Sequence, residues 1–187
     1  MTNSQHTNEF SVILLLDKTS KDKIEGIRTS MPASPYRDDW PHLTLLQGCH
    51  TPRSMSDVEL YNILCPILNR LLKPKLHATV AGLSNLFGGY YKDTSSIILS
   101  TSNDLQREHI SLLSSLRGSH FKVDRKESIY RPHVTIRLGV PMNQGSLQLA
   151  NELFPEGKSI RFDKWEIYRL ISSRGKRQFY KVLSSAV

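Results

Sequence analysis

The sequence predicts an α+β fold of two pseudo-symmetric lobes, each an antiparallel sheet with flanking helices, set around a cleft. Three observations carry this. The phrase Pro-His-x-Thr occurs twice with aliphatic residues at its remaining positions, as Pro41–Leu45 and Pro132–Ile136, nearly half the chain apart. Short apolar strands and amphipathic helices follow one another in mixed order, and each copy of the phrase sits on a strand followed by a helix. No long Ser/Gly/Pro linker separates the halves, so residues 10–187 read as one domain behind a flexible tail over residues 1–9.

The elements follow from local signals. Phe10–Leu16 is a compact apolar run ended by Asp17, a buried strand. Thr19 or Ser20 can cap a helix carrying Ile24, Ile27 and Met31 on one face. Pro32, Pro35 and Pro41 interrupt regular structure before the first motif strand, His42–Leu46. Ser56-Asp57-Val58-Glu59 is a capping box, followed by a helix with Leu60, Ile63, Leu64, Ile67, Leu68 and Leu71 inward. Pro66 inside that pattern predicts a kink or a split. Leu76–Leu83 reads as a strand with His77, Thr79 and Ala81 on one face. A Gly88-Gly89 turn leads to a strand over Ser96–Leu99.

Asn103 caps the next helix, whose stripe is Leu105, Leu112, Leu113 and Leu116, and Gly118 stops it. Phe121–Val123 and the second motif strand, His133–Leu138, come next. A short helix over about Ser146–Phe154 ends at Pro155. A long hairpin closes the chain, from Ile160–Ile171 through a turn at Arg174-Gly175-Lys176 to Gln178–Leu183.

Composition narrows the function classes. Hydrophobic content of 39% supports a globular core and excludes wholesale disorder. No apolar run approaches the length of a membrane span, and Met1–Glu9 lacks the pattern of a signal peptide, so the expected location is the cytoplasm, or the nucleus in a eukaryote. Cys49 and Cys65 lack metal-ligand spacing and read as reduced thiols. The net charge of +8 favours polyanionic partners such as RNA or nucleotides, although generic basicity gives the same number. The basic residues are dispersed, with one tight cluster at Arg174-Gly175-Lys176-Arg177.

The duplicated phrase carries the chemistry. Random order of this composition would give about 0.02 occurrences of Pro-His-x-Thr, against two present. In a strand, residues two apart share a face. His42 and Thr44 therefore share one face, as do His133, Thr135 and Arg137, while Leu43, Leu45, Val134, Ile136 and Leu138 face the other way. A polar face of this kind looks into water, a cleft or a partner group, because burying it unpaired is costly. Two such strands around a pseudo-two-fold axis make a cleft with two imidazoles and two hydroxyls. One neutral imidazole can take a proton from a nucleophile while the other, protonated, gives one to a leaving oxygen. The threonine hydroxyls can donate to non-bridging phosphate oxygens. Two histidines with no adjacent carboxylate make a poor site for a hard cation, so neither metal nor cofactor is expected.

With these residues the chain resembles the 2H phosphoesterase superfamily, which includes the 2′-5′ RNA ligase-like and cyclic phosphodiesterase proteins. The resemblance rests on His42-Leu43-Thr44-Leu45 and His133-Val134-Thr135-Ile136, one in each half. It extends to the Pro-His before each motif, Leu46-Gln47-Gly48 and Arg137-Leu138-Gly139 after them, and the closing Trp165-Glu166-Ile167-Tyr168 strand, covering about residues 10–183. It implies a bilobal 2H phosphoesterase-like fold with the cleft between the lobes. It also implies cleavage of 2′,3′-cyclic phosphates, 2′-5′ linkages or cyclic phosphates of ADP-ribose type. His42 and His133 become the acid/base pair and Thr44 and Thr135 the phosphate-binding pair, with the split of acid and base left open. The segment Tyr36-Arg37-Asp38-Asp39-Trp40 departs from that pattern in being unusually charged, which bears on substrate preference.

Further candidates flank the motifs. Tyr130 can stack on a base or serve as a half-buried structural aromatic, and Arg131 adjoins it. Arg137 can pair with phosphate. Trp40 and Tyr168 read first as core aromatics and second as walls of a nucleoside pocket. Tyr90 and Tyr91 follow the Gly-Gly turn. His50, His77, His109 and His120 lack the motif pattern; His109 reads as packed or surface, and His6 as part of the tail. The expected protein is thus a metal-independent RNA or nucleotide phosphodiesterase, monomeric and free of membranes. The alternatives are a silent nucleotide- or RNA-binding module of the same fold and a 2′-5′ RNA ligase.

Overall fold

The computed structural model describes residues 5–36, 40–52, 55–71, 76–85, 93–100, 103–117, 121–123, 130–173 and 176–184. Within these, the elements in chain order are β1 (Gln5–Leu16), α1 (Lys18–Thr29), β2 (His42–His50), α2 (Asp57–Leu71), β3 (Leu76–Ser84) and β4 (Ser95–Leu99). They continue as α3 (Asn103–Arg117), β5 (Lys122–Val123), β6 (His133–Arg137), α4 (Gln144–Leu153), β7 (Ser159–Ser173) and β8 (Lys176–Ser184). The Gly88-Gly89, Gly118 and Arg174-Gly175 turn signals, Tyr90, Tyr91 and His120 lie outside the described residues.

All strand pairings are antiparallel, in the order β1-β2-β6-β4-β3-β7-β8, with β5 beside β2. A further pairing of β1 with β7 closes a circuit through β1, β2, β6, β4, β3 and β7. The length of β7 makes this possible. Its first residues pair with β3, from Ser159 opposite Thr79 to Phe162 opposite Leu76, and the remainder runs between β1 and β8. The two expected halves are therefore two arms of one continuous sheet. Helices α2 and α3 pack together, against β8 and β5 respectively, while α1 and α4 pack together with α1 against β6.

Alternation along the strands decides what lies under the helices. Leu14, Leu43, Val134 and Ile97 stand opposite one another across β1, β2, β6 and β4, and all are buried with Ile24 and Ile27 of α1 in the core. The stripes of α2 (Leu60, Leu64, Leu68) and α3 (Leu105, Leu112, Leu113, Leu116) are buried as their spacing requires.

Four local expectations are corrected. Residues 5–9 are not tail: β1 begins at Gln5, whose backbone pairs with Ser172, and Glu9 stands opposite His50. Sheet hydrogen bonds hold this polar stretch, so apolar content was a poor guide to where the strand starts. Helix α1 is capped by Asp17 rather than by Thr19 or Ser20, the Ser20 N–H donating to Asp17 Oδ1 at 2.9 Å. Helix α4 starts at Gln144 because Asn143 caps it, accepting from Ser146 N–H at 2.9 Å. Pro66 does not split α2 into two elements. It deprives only one carbonyl of its helical donor, that of exposed Asn62, while buried Leu64 and Leu68 anchor the turns on either side.

The capping box forms as expected. Ser56 N–H and hydroxyl donate to Glu59 Oε2 at 2.7 and 2.8 Å, and Glu59 N–H returns to Ser56 Oγ at 3.2 Å. These bonds hold the Glu59 carboxyl below its ordinary range, the Ser56 backbone N–H contributing most.

Candidate active site

The two motif strands are neighbours, and they pair through equivalent residues: Leu43 of β2 stands opposite Val134 of β6. An antiparallel pair has a local two-fold axis, and here it passes between the middle residues of the two motifs. That register sets His42 opposite Thr135 and Thr44 opposite His133. Opposed residues project to the same face, so the two imidazoles and two hydroxyls form a compact square on one side of the sheet. All four side chains are partly exposed, while Leu43, Leu45, Val134 and Ile136 between them are buried.

The histidines are oriented in the same way. His42 Nδ1 lies 2.6 Å from Trp40 O, and His133 Nδ1 lies 3.1 Å from Arg131 O. A carbonyl only accepts, so Nδ1 is the protonated nitrogen of each neutral ring. Nε2 is then the atom that gains or loses a proton in both, and each half supplies the same tautomer.

The helices hold these strands crosswise. His109 of α3, the helix before the second motif, directs Nδ1 to Leu45 O of the first motif strand at 2.8 Å. Arg28 of α1, the helix before the first motif, donates Nε–H to Ile136 O of the second at 2.6 Å. Leu45 and Ile136 are equivalent positions, so each half braces the other's motif. Neither His109 nor Arg28 is marked by any motif. Their signal is that each bonds the equivalent carbonyl of one of two paired motif strands, which becomes visible only once the strands are paired.

The secondary candidates divide. Tyr130 donates its hydroxyl to Thr44 O at 3.1 Å, and its ring stacks on His109 at 4.1 Å between centroids and 5° between planes. It is a strut between the motifs, which is the structural alternative of its two readings. Arg137 donates Nη1–H to Met31 O at 3.1 Å and to Pro32 O at 2.5 Å, tying β6 to the end of α1. Arg131 is exposed and contributes its carbonyl to His133. Trp40 is 63% exposed, with Lys21 Nζ 4.3 Å from its ring centre, which removes the core reading of that residue. Tyr168 is partly exposed and donates its hydroxyl to Glu166 Oε2 at 2.9 Å. Sequence reasoning also missed Ser96, a fully buried serine opposite Thr135 on β4. Among the described residues no cluster of His, Cys, Asp and Glu could hold a metal ion.

No family model and no curated protein matches the chain. Solved structures do. A phosphoesterase crystal structure superimposes with a TM-score of 0.61 at 15% identity, covering 97% of this chain and 98% of that one. LigT of E. coli complexed with 3′-AMP gives 0.59 at 14% identity, covering 97% and 98%. TT0787 of Thermus thermophilus gives 0.56 at 14% identity, covering 94% and 96%. The chain has the 2H phosphoesterase fold. The coverage is nearly complete in both directions, so the 2H fold accounts for both arms and for the β2–β6 seam between them.

The charged segment that begins at Tyr36 is anchored at its start to the end of β6. Besides the Arg137 bonds, Ser34 donates its hydroxyl to Leu138 O at 2.6 Å, and the Tyr36 ring covers Gly139. Gly139 has φ +65°, and a Cβ there would meet Tyr36 Cε2 at 2.6 Å. Gly139→Ala is expected to cost about 1–2 kcal/mol through left-handed backbone strain and displacement of Tyr36. For a chain of this length that lowers Tm by about 3–6 °C. Thermal unfolding followed by circular dichroism checks it, and an unchanged Tm would show that the turn relaxes without strain.

Proposed function

We propose that the protein is a metal-independent phosphodiesterase acting on 2′,3′-cyclic phosphates or 2′-5′ linkages of RNA or nucleotides. The observation that carries this reading is the two-fold arrangement of His42, Thr44, His133 and Thr135, with both imidazoles fixed in one tautomer. Support also comes from LigT, whose structures include complexes with 3′-AMP, ATP and NADP+, all phosphate esters.

In the proposed step, Nε2 of one neutral histidine removes a proton from water as the water oxygen bonds to phosphorus. The phosphorus–oxygen bond to the 2′ or 3′ oxygen breaks, and the second histidine, protonated, delivers its Nε2 proton to that oxygen. The two rings end with their protonation states exchanged and reset through solvent. Thr44 and Thr135 hydroxyls donate to the non-bridging oxygens, where negative charge grows.

A turnover panel tests the reading: 2′,3′-cyclic mononucleotides, 2′-5′ oligoadenylate, RNA with a cyclic phosphate end, and ADP-ribose cyclic phosphate. Turnover of at least one, unaffected by EDTA, is expected. Binding across the panel without turnover would instead identify a silent nucleotide-binding module.

A further inference from the structure

The two-fold symmetry of the motifs does not extend to the strands beside them. On the β6 side, Thr135 is flanked by Ser96 of β4 and then Ser84 of β3, and His133 by Ile98 and then Gly82. On the β2 side, His42 is flanked by Leu15 of β1 and then Lys164 of β7, and Thr44 by Ile13 and then Glu166. Among the described flanking residues, the motif face thus continues across an apolar strip, Ile13 and Leu15, to a charged group on the β1–β7 side.

That group is organised around a buried carboxylate. The Glu166 side chain is 4% exposed and meets Lys164 Nζ at 3.3 Å, Lys181 Nζ at 3.5 Å and the Tyr168 hydroxyl at 2.9 Å. The lysines themselves are 33% and 49% exposed, so they carry their charge to the surface while Glu166 fixes their position. Two cations against one carboxylate leave a net positive charge. Lys164 and His42 stand on either side of Leu15, two strand spacings or about 10 Å apart.

We propose that Lys164 and Lys181 form a second phosphate subsite, which receives a neighbouring backbone phosphate of a single-stranded oligonucleotide whose reacting phosphate lies at the motifs. The inference rests on the phosphoester reading of the cleft and adds to it a substrate class, an oligonucleotide end rather than a mononucleotide, and a direction. A symmetric acid/base pair cannot distinguish the two ways of laying a strand across it. A cationic subsite beyond β1, with an apolar strip between for ribose and base, can.

Binding of a 5′-fluorescent single-stranded hexaribonucleotide ending in a 3′-phosphate, measured by anisotropy over a salt series, tests this. The 3′-AMP mononucleotide serves as competitor. In Lys164→Ala/Lys181→Ala the preference for the oligonucleotide over 3′-AMP is expected to fall about tenfold, and the salt slope to shrink by about 1. Because the double variant strips a buried carboxylate of its cations, Glu166→Gln is measured beside it. With the lysines retained and the carboxylate charge gone, oligonucleotide binding is expected to tighten about threefold. An unchanged preference in the double variant together with unchanged binding in Glu166→Gln overturns the subsite, whatever the panel shows. A parent that prefers the oligonucleotide through these lysines but turns over no phosphoester keeps the subsite and overturns the cleft chemistry.

Discussion

Replacing either His42 or His133 with alanine is expected to lower kcat on the proposed substrates by on the order of 10³-fold, with the fold retained. General acid and general base steps contribute about 10²–10⁴-fold each. The two rings act in one concerted event, so the double variant is expected to fall little below either single one. Asparagine is the sharper substitution. Its amide can reproduce the Nδ1–H bond to Trp40 O or Arg131 O but cannot carry a proton on and off. His42→Asn and His133→Asn should therefore be as inactive as the alanine variants and as stable as the parent. Rates within tenfold of the parent in either asparagine variant would refute proton transfer by these rings. The parent should also show a bell-shaped pH profile of kcat/KM, because one ring must be neutral and the other charged. Rate loss on the acid side reports the base, and rate loss on the alkaline side reports the acid.

Thr44→Val and Thr135→Val are each expected to lower kcat by about 10²-fold, the scale measured when one donor to a developing oxyanion is removed. Valine keeps the shape and the strand preference of threonine, so stability should change little. The register makes this prediction specific: each hydroxyl stands opposite the other half's histidine, within the same square as both rings. Thr→Ser at either position should restore most of the rate, since the hydroxyl returns. A valine variant within threefold of the parent would show that the hydroxyl at that position does not meet the reacting phosphate. Steady-state kcat and KM should be read separately, because a group used only in the transition state lowers kcat without raising KM.

Much of the site was legible because it is written in local periodicity. The parity of His42 with Thr44 and of His133 with Thr135 is a property of any extended strand, and the buried Leu43, Leu45, Val134 and Ile136 fall on the opposite parity. The helical stripes, the Ser56–Glu59 capping box and the closing hairpin were legible for the same reason. Errors came where a distant partner outweighed local chemistry. Gln5–Glu9 is polar, yet sheet pairing with β7 and β2 holds it. Pro66 stays within one helix because the flanking turns are packed. Trp40, taken as a core aromatic, is on the surface.

The sequence alone determined the element order, the two motif faces and the chemistry those faces can support, because each follows from spacing within a few residues. Tertiary structure decided the rest. Only strand pairing could bring Leu43 opposite Val134 and so place each histidine opposite the other half's threonine. Only packing could turn Tyr130 into a strut, Arg137 into a tie to α1, and His109 and Arg28 into crossed braces. And only the course of β7 between β1 and β8 could gather Lys164, Glu166 and Lys181 on the motif face. The physical reason is that face parity is local, whereas register is set by contacts among residues far apart in the chain.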